Sequence, residues 1–201
     1  MTSISATAIV TSLLLALMVG CGESAILMVR PPPDEVRATQ TELWLTAVDD
    51  LVKDGDWLVI RGYHPTDDLV AAATNIPLSH VAIVDRTNDR IIEAVGEGVR
   101  SQPLRDFIHG SHRVLVIRPK WWTPKRGAAA AKRAAKWLGS HYDFLGAVGD
   151  DAPDRFYCSE LAVHAYRKYF GDDERFPRVI EPGQMYLWGQ ILFDSGWRRD
   201  A

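Results

Sequence analysis

The order of hydrophobic patterns predicts an α+β fold, an antiparallel sheet with helices packed against it. A helix-spaced stretch opens the folded part, apolar strands bounded by hairpin signals follow, and two helical stretches come after them. At 201 residues the chain has room for one domain with a sizeable core and a short N-terminal extension.

The elements can be taken in order. Glu35 to Lys53 carries Val36, Leu43, Leu45, Val48, Leu51 and Val52 at broadly helical spacing, and Gly55 stops it. Asp56 to Arg61 reads as a buried strand. Pro65-Thr66-Asp67-Asp68 opens a short helix running through Ala73, with Thr66 or Asp67 near its cap. Ser79 to Asp85 and Arg90 to Val95 are strands separated by the turn signal Asn88-Asp89, which makes a hairpin. Gly96-Glu97-Gly98 turns the chain again, Pro103 to Ile108 suits a short helix, and Arg113 to Arg118 a further strand.

Pro124 to Gly139 is alanine-rich, with proline at its start and glycine at its end, and predicts a helix. Cys158 to Phe170 predicts another, with Leu161, Ala162, Ala165, Tyr166 and Tyr169 on one side. Gln190 to Phe193 is strand-like.

The N-terminus reads as an address. Ile4 to Gly20 is apolar or small, a length that suits the core of a secretory signal better than a full membrane span. It ends in Val19-Gly20-Cys21-Gly22, which resembles the cleavage box of bacterial lipoproteins and makes Cys21 the expected lipidated residue. Two features depart from that pattern: Met18 stands where leucine is usual, and no Lys or Arg precedes Arg30. An uncleaved anchor continuing through Ala25 to Val29, or a plain secretory signal, are the alternatives. The expected organisation is a signal segment 1–21, a tether 22–34 stiffened by Pro31-Pro32-Pro33, and a domain 35–201. All these readings place the domain outside the cytoplasm.

A composition of 47% hydrophobic and 24% charged residues is that of a globular chain, and a net charge of −3 argues against a general nucleic-acid binder. Cys21 and Cys158 are the only cysteines, too few for a disulfide framework. His109-Gly110-Ser111-His112 offers two metal ligands on a loop with no companion cluster, so no metal site and no cofactor are expected. The cations Lys125, Arg126, Lys132, Arg133 and Lys136 along one helix read as a solvated face, or as a surface for anionic lipid or polymer.

Three residues far apart in sequence carry chemistry. Cys158 sits at a predicted helix start, where backbone N–H groups converge to lower a thiol pKa and can hold an oxyanion. From position alone, a buried structural cysteine reads equally well. His80 lies in the apolar strand Ser79-His80-Val81-Ala82-Ile83-Val84, where its ring nitrogens need partners. Glu93, in Arg90-Ile91-Ile92-Glu93-Ala94-Val95, also needs a partner. An even hairpin loop puts Glu93 on the face of His80, and an odd loop puts it on the other. Asn88-Asp89 as a two-residue turn favours the even case, so Glu93 is the expected orienter of the imidazole.

The set Ser79-His80-Val81-Ala82-Ile83-Val84, Glu93, Tyr142-Asp143-Phe144 and Tyr157-Cys158-Ser159-Glu160-Leu161 resembles the circularly permuted branch of the NlpC-type papain-like superfamily. The match is best with the YiiX/YebB-like cysteine hydrolases, and lecithin:retinol acyltransferase is a more distant relative. In this branch the histidine strand precedes the cysteine helix, the order seen here. The resemblance covers about Gly55 to Phe170, and Gly55-Asp56 before the first strand matches a Gly-Asp turn common in these proteins. It implies a permuted papain-like fold with a Cys-bearing helix. The implied activity is that of a thiol hydrolase or acyl transferase with Cys158 as nucleophile, His80 as base and Glu93 as orienter. Tyr142 and Tyr157 are candidates for lining the cleft; packing with a hydrogen-bonded hydroxyl accounts for them as well. The expected substrates are a peptide, a peptidoglycan stem or an acyl lipid. A non-catalytic envelope-binding module is the competing class.

Overall fold

The fold is taken from a computed structural model that describes residues 28–149 and 154–196. Cys21 and the expected signal segment lie outside the described residues.

A helix α1 (Asp34–Val48) leads into strand β1 (Trp57–Gly62), helix α2 (Pro65–Thr74), strand β2 (His80–Asp85) and strand β3 (Arg90–Val95). Strand β4 (Gly98–Pro103), helix α3 (Leu104–His109) and strand β5 (Ser111–Pro119) follow. The chain continues through helix α4 (Pro124–Ala135), two short strands β6 (His141–Tyr142) and β7 (Arg155–Phe156), and helix α5 (Cys158–His164). It ends in strand β8 (Gly189–Asp194).

Six strands form one sheet in the order β4-β3-β2-β1-β5-β8, antiparallel at every pairing, as the strand patterns predict. β6 and β7 pair in parallel as a separate ribbon.

Both faces of the sheet are covered, which is why β1 is buried at all six positions. Alternation sends Trp57 and Val59 to one side, with Val81, Ile83, Ile92 and the helices α4 and α5. Leu58 and Ile60 go to the other, with Ala82, Val84, Ile91 and the helices α1 and α3. Burying each such side chain is worth about 1.5–3 kcal/mol, so register is strongly specified: a one-residue slip would exchange the two sets.

Gly55 sets the entry to β1. Its φ of +83° favours glycine, and an added Cβ would stand 2.6 Å from the Gly127 Cα. The Tyr166 hydroxyl donates to its carbonyl at 2.9 Å. The neighbouring Asp56 carboxylate is fully buried. Burial raises its pKa in spite of two bonds from Arg118, at 2.9 and 2.7 Å.

Five expectations are corrected. The cap of α2 is His64 rather than Thr66 or Asp67; the Asp67 carboxylate accepts the His64 N–H at 2.9 Å. The helix expected through Phe170 ends at His164 and resumes as the 3₁₀ turn Arg167–Tyr169, because the bond from Tyr166 to Gly55 draws the chain inward at the break. The helix expected to reach Gly139 stops at Ala135.

β4 was not expected at all. Arg100, Ser101 and Gln102 give an edge strand almost no apolar pattern. Finally, the opening helix expected to reach Lys53 ends at Val48, and ahead of it the Val29 N–H donates to Asp68 Oδ1 at 3.4 Å. Among the described residues no helix is long and apolar enough to cross a membrane.

Candidate active site

Cys158 is the first residue of α5, and its position is fixed from several sides. β7, just before it, pairs with β6 so that Phe156 lies beside Tyr142. The Trp57 indole N–H donates to the Ala162 carbonyl at 3.2 Å and ties α5 to β1. Ser159 Oγ donates to the Ile180 carbonyl at 2.5 Å, and the Ile180 N–H returns a bond of 3.0 Å to the Tyr157 hydroxyl. The first-turn N–H groups of a helix have no intrahelical partner, and the Cys158 thiol lies among them.

His80 opens β2, one residue after a polar anchor. Ser79 Oγ donates to Asp67 Oδ1 at 2.6 Å and accepts the Gly62 N–H at 3.2 Å, while the Ser79 N–H donates to the Ile60 carbonyl at 2.8 Å. These bonds lock the start of β2 against β1 and α2. The imidazole packs near the Phe107 ring, with centroids 6.0 Å apart, and its Nε2 lies 2.7 Å from Glu93 Oε2. The Cys158 thiol lines the same cleft as this ring and interacts with it electrostatically. With Nε2 committed to the carboxylate, Nδ1 is the nitrogen left for sulfur.

The β2–β3 loop decides where Glu93 stands. It has four residues, 86–89, built from a 3₁₀ turn closed by Asp89 at φ 50°. The parity is even, as expected, but the loop is longer than the two-residue turn. Glu93 therefore faces Ala82 instead of Val84, one pair closer to His80.

Two residues that sequence reasoning missed complete the arrangement. Glu93 is 2% exposed, and its Oε1 accepts Arg100 Nε at 2.9 Å and Gln102 Nε2 at 2.7 Å. Both come from β4, with Arg100 directly opposite Glu93. The only signal was their spacing of two residues, which means nothing until β4 is known to pair with β3.

The electrostatics favour an ion pair. Burial pushes the His80 pKa down, but the negative charge and hydrogen bond of Cys158, with those of Glu93, outweigh it and raise the imidazole well above its ordinary value. Burial pushes the Cys158 thiol up. The charge and hydrogen bond of His80, the Val81 N–H and the Ser159 hydroxyl win, and the thiol pKa falls. At Glu93 burial is likewise outweighed, by His80 and Arg100, and the carboxyl lies below the usual range.

Cys158 and His80 share a cleft of about 360 Å³ whose walls are mostly apolar, including Val70, Ala73, Ala94, Phe144 and Val179. Tyr142 and Tyr157 both line it. Tyr157 is buried and its hydroxyl is used in holding Ile180, so it is part of the floor. Burial, then the charge on Cys158, raises the Tyr142 pKa far above the usual tyrosine value, so its hydroxyl stays protonated as a donor beside the sulfur. A second, more polar hollow of about 390 Å³ adjoins His80 from the Glu93 side.

His109 Nδ1 lies 3.2 Å from Thr41 Oγ1, and the His112 ring packs on Tyr63. Among the described residues no group of three or more His, Cys, Asp or Glu is placed to hold a metal ion.

Comparison with known proteins bears on the fold and the family. The chain is similar to the crystal structure of the metalloprotein YiiX from Escherichia coli O157:H7, with 26% identity and a TM-score of 0.50. The likeness covers 59% of this chain and 66% of that one, so this chain spans just under two thirds of that protein's length. No curated protein matches the chain. The model of the permuted papain-like amidase enzymes, the YaeF/YiiX or C92 family, matches residues 52–184, and the chain belongs to that family.

Proposed function

We propose that the protein is a cysteine hydrolase that cleaves an amide or ester bond in a cell-envelope substrate, with Cys158 as nucleophile, His80 as acid and base, and Glu93 as orienter. The observation that carries this reading is that Cys158 of α5 and His80 of β2 line one cleft while the buried Glu93 of β3 holds His80 Nε2 from the other side.

The chemistry follows from the ion pair. The Cys158 thiolate attacks the carbonyl carbon; a sulfur–carbon bond forms and the carbonyl electron pair moves to oxygen. The Cys158 N–H at the start of α5 and the Tyr142 hydroxyl in the same cleft are the donors assigned to that oxyanion. Collapse breaks the bond to the leaving amine or alcohol, which takes a proton from the His80 imidazolium. Water then attacks the thioester, His80 takes its proton, and the sulfur–carbon bond breaks to release the acid and restore the pair. Glu93 keeps the imidazole turned with Nδ1 toward sulfur.

A second reading, hydrolysis or transfer of a lipid acyl group, is favoured by the apolar walls of the cleft. In both, residues 1–21 export the chain and hold it at the membrane through Cys21 or an uncleaved anchor.

Alkylation by iodoacetamide tests the site. Cys158 should react well below the ordinary thiol pKa of about 8.5, and His80→Ala should slow that reaction. A Cys158 that reacts as a free thiol would favour a binding module. A panel of muropeptides against acylated lipids and N-acyl amino acids, with Cys158→Ala as control, then separates the two substrate classes.

A further inference from the structure

Three exposed apolar side chains gather at the mouth of the cleft. Leu69 of α2 and Phe144 both line the cleft, and Leu145 follows Phe144 in the chain; they are 70%, 64% and 58% exposed. A cluster of this kind at one opening marks an interaction surface more often than scattered apolar residues do.

The N-terminal segment meets the domain on the same helix, α2. The Val29 N–H donates to the carboxylate of Asp68, the residue before Leu69, and Met28 next to it is 68% exposed. Eight residues separate Cys21 from Val29, a reach of at most about 29 Å when fully extended. Pro31 to Pro33 come after this contact, so they do not lengthen it. A membrane attachment at or before Val29 therefore holds the cleft mouth close to the bilayer.

We propose that the cleft mouth docks on the lipid bilayer, with Leu69, Phe144 and Leu145 seated among the headgroups and first acyl carbons, so that substrate enters from the membrane side. The inference rests on the reading of the N-terminal segment as a membrane anchor and names the surface the domain turns to that membrane. The competing arrangement is charge-led docking through the cations of α4, such as Lys132 and Lys136, on anionic lipid. The tether contact and Leu69, on one helix, favour the mouth.

The test uses the full chain carrying Cys158→Ser, reconstituted in phosphatidylcholine vesicles with and without anionic lipid. One added cysteine, Leu69→Cys, Leu145→Cys, Leu43→Cys or Lys136→Cys, is labelled with bimane, and the signal of the same protein without the added cysteine is subtracted. Labels at 69 and 145 should be quenched by acyl-chain doxyl lipid at least about threefold more than the label at exposed Leu43 of α1, and shielded from aqueous iodide. A chain that floats with the vesicles while 69 and 145 stay open to iodide overturns the orientation alone. So does quenching at 136 instead, present only with anionic lipid. A chain that does not float overturns the anchor reading and the orientation together. No outcome depends on catalysis, because the nucleophile is absent.

Discussion

Glu93 faces Ala82 across the β2–β3 pair, and its carboxylate reaches His80 Nε2 along the diagonal at 2.7 Å. Cross-strand diagonals lie about 7–8 Å apart at the backbone, within reach of a glutamate but too far for an aspartate to close easily. The length of the side chain and the four-residue loop together place the charge where the imidazole can use it.

Removing that charge should change the alkaline behaviour of the site. In Glu93→Gln the imidazole loses the carboxylate that helps hold its proton, so the His80 pKa falls from its raised position. The alkaline limb of the pH profile of kcat/KM should move to lower pH, and turnover should fall on the order of 10²–10⁴-fold. An alkaline limb that stays in place would remove Glu93 from the set.

Gln102 acts through Glu93. Gln102→Leu takes one donor from the buried Oε1 and leaves the carboxylate less well satisfied, which should raise its pKa. The lost hydrogen bond is worth about 0.5–1.5 kcal/mol, or roughly a 2- to 13-fold loss in kcat/KM. Arg100→Ala should do less, because the Arg100 side chain is more than half exposed and its pairing is screened by salt. A pH profile that does not move in Gln102→Leu would reduce the residue to packing.

Acid stability follows from the same carboxylate. Its folded-state pKa is depressed below an unfolded value of about 4.3. A group of this sign adds stability that is fully present above the unfolded value and lost as pH falls through the folded one. Urea unfolding of the wild-type chain should weaken across that window, and Glu93→Gln should flatten this acid side of the curve. An equally steep acid side in the variant would place the titration elsewhere.

Gly55→Ala should destabilise the fold by about 2–4 kcal/mol. The new Cβ would need a positive φ that alanine disfavours and would press on the Gly127 backbone, which cannot rotate away. Chemical unfolding of this variant beside Gly110→Ala makes the comparison. At Gly110 an added Cβ meets nothing closer than 3.5 Å, so little change is expected there.

The chain order of chemistry, the apolar strands and the helix starting at Cys158 were legible in the sequence because each is a local pattern. Continuous apolar runs such as Val81 to Val84 and a helix-spaced set after Cys158 do not depend on what packs around them. The resemblance carried by Ser79-His80-Val81 and Tyr157-Cys158-Ser159 added the fold family, which residue spacing alone does not reach.

Tertiary structure alone decided the rest. The loop of residues 86–89 chose which residue Glu93 faces, and β4, almost patternless by itself, became a strand only by pairing with β3. That pairing brought Arg100 and Gln102 to the carboxylate and let it remain charged while buried. The physical reason is that a side chain's direction is written in local sequence, whereas its partners and its dielectric surroundings depend on strands that meet only after folding.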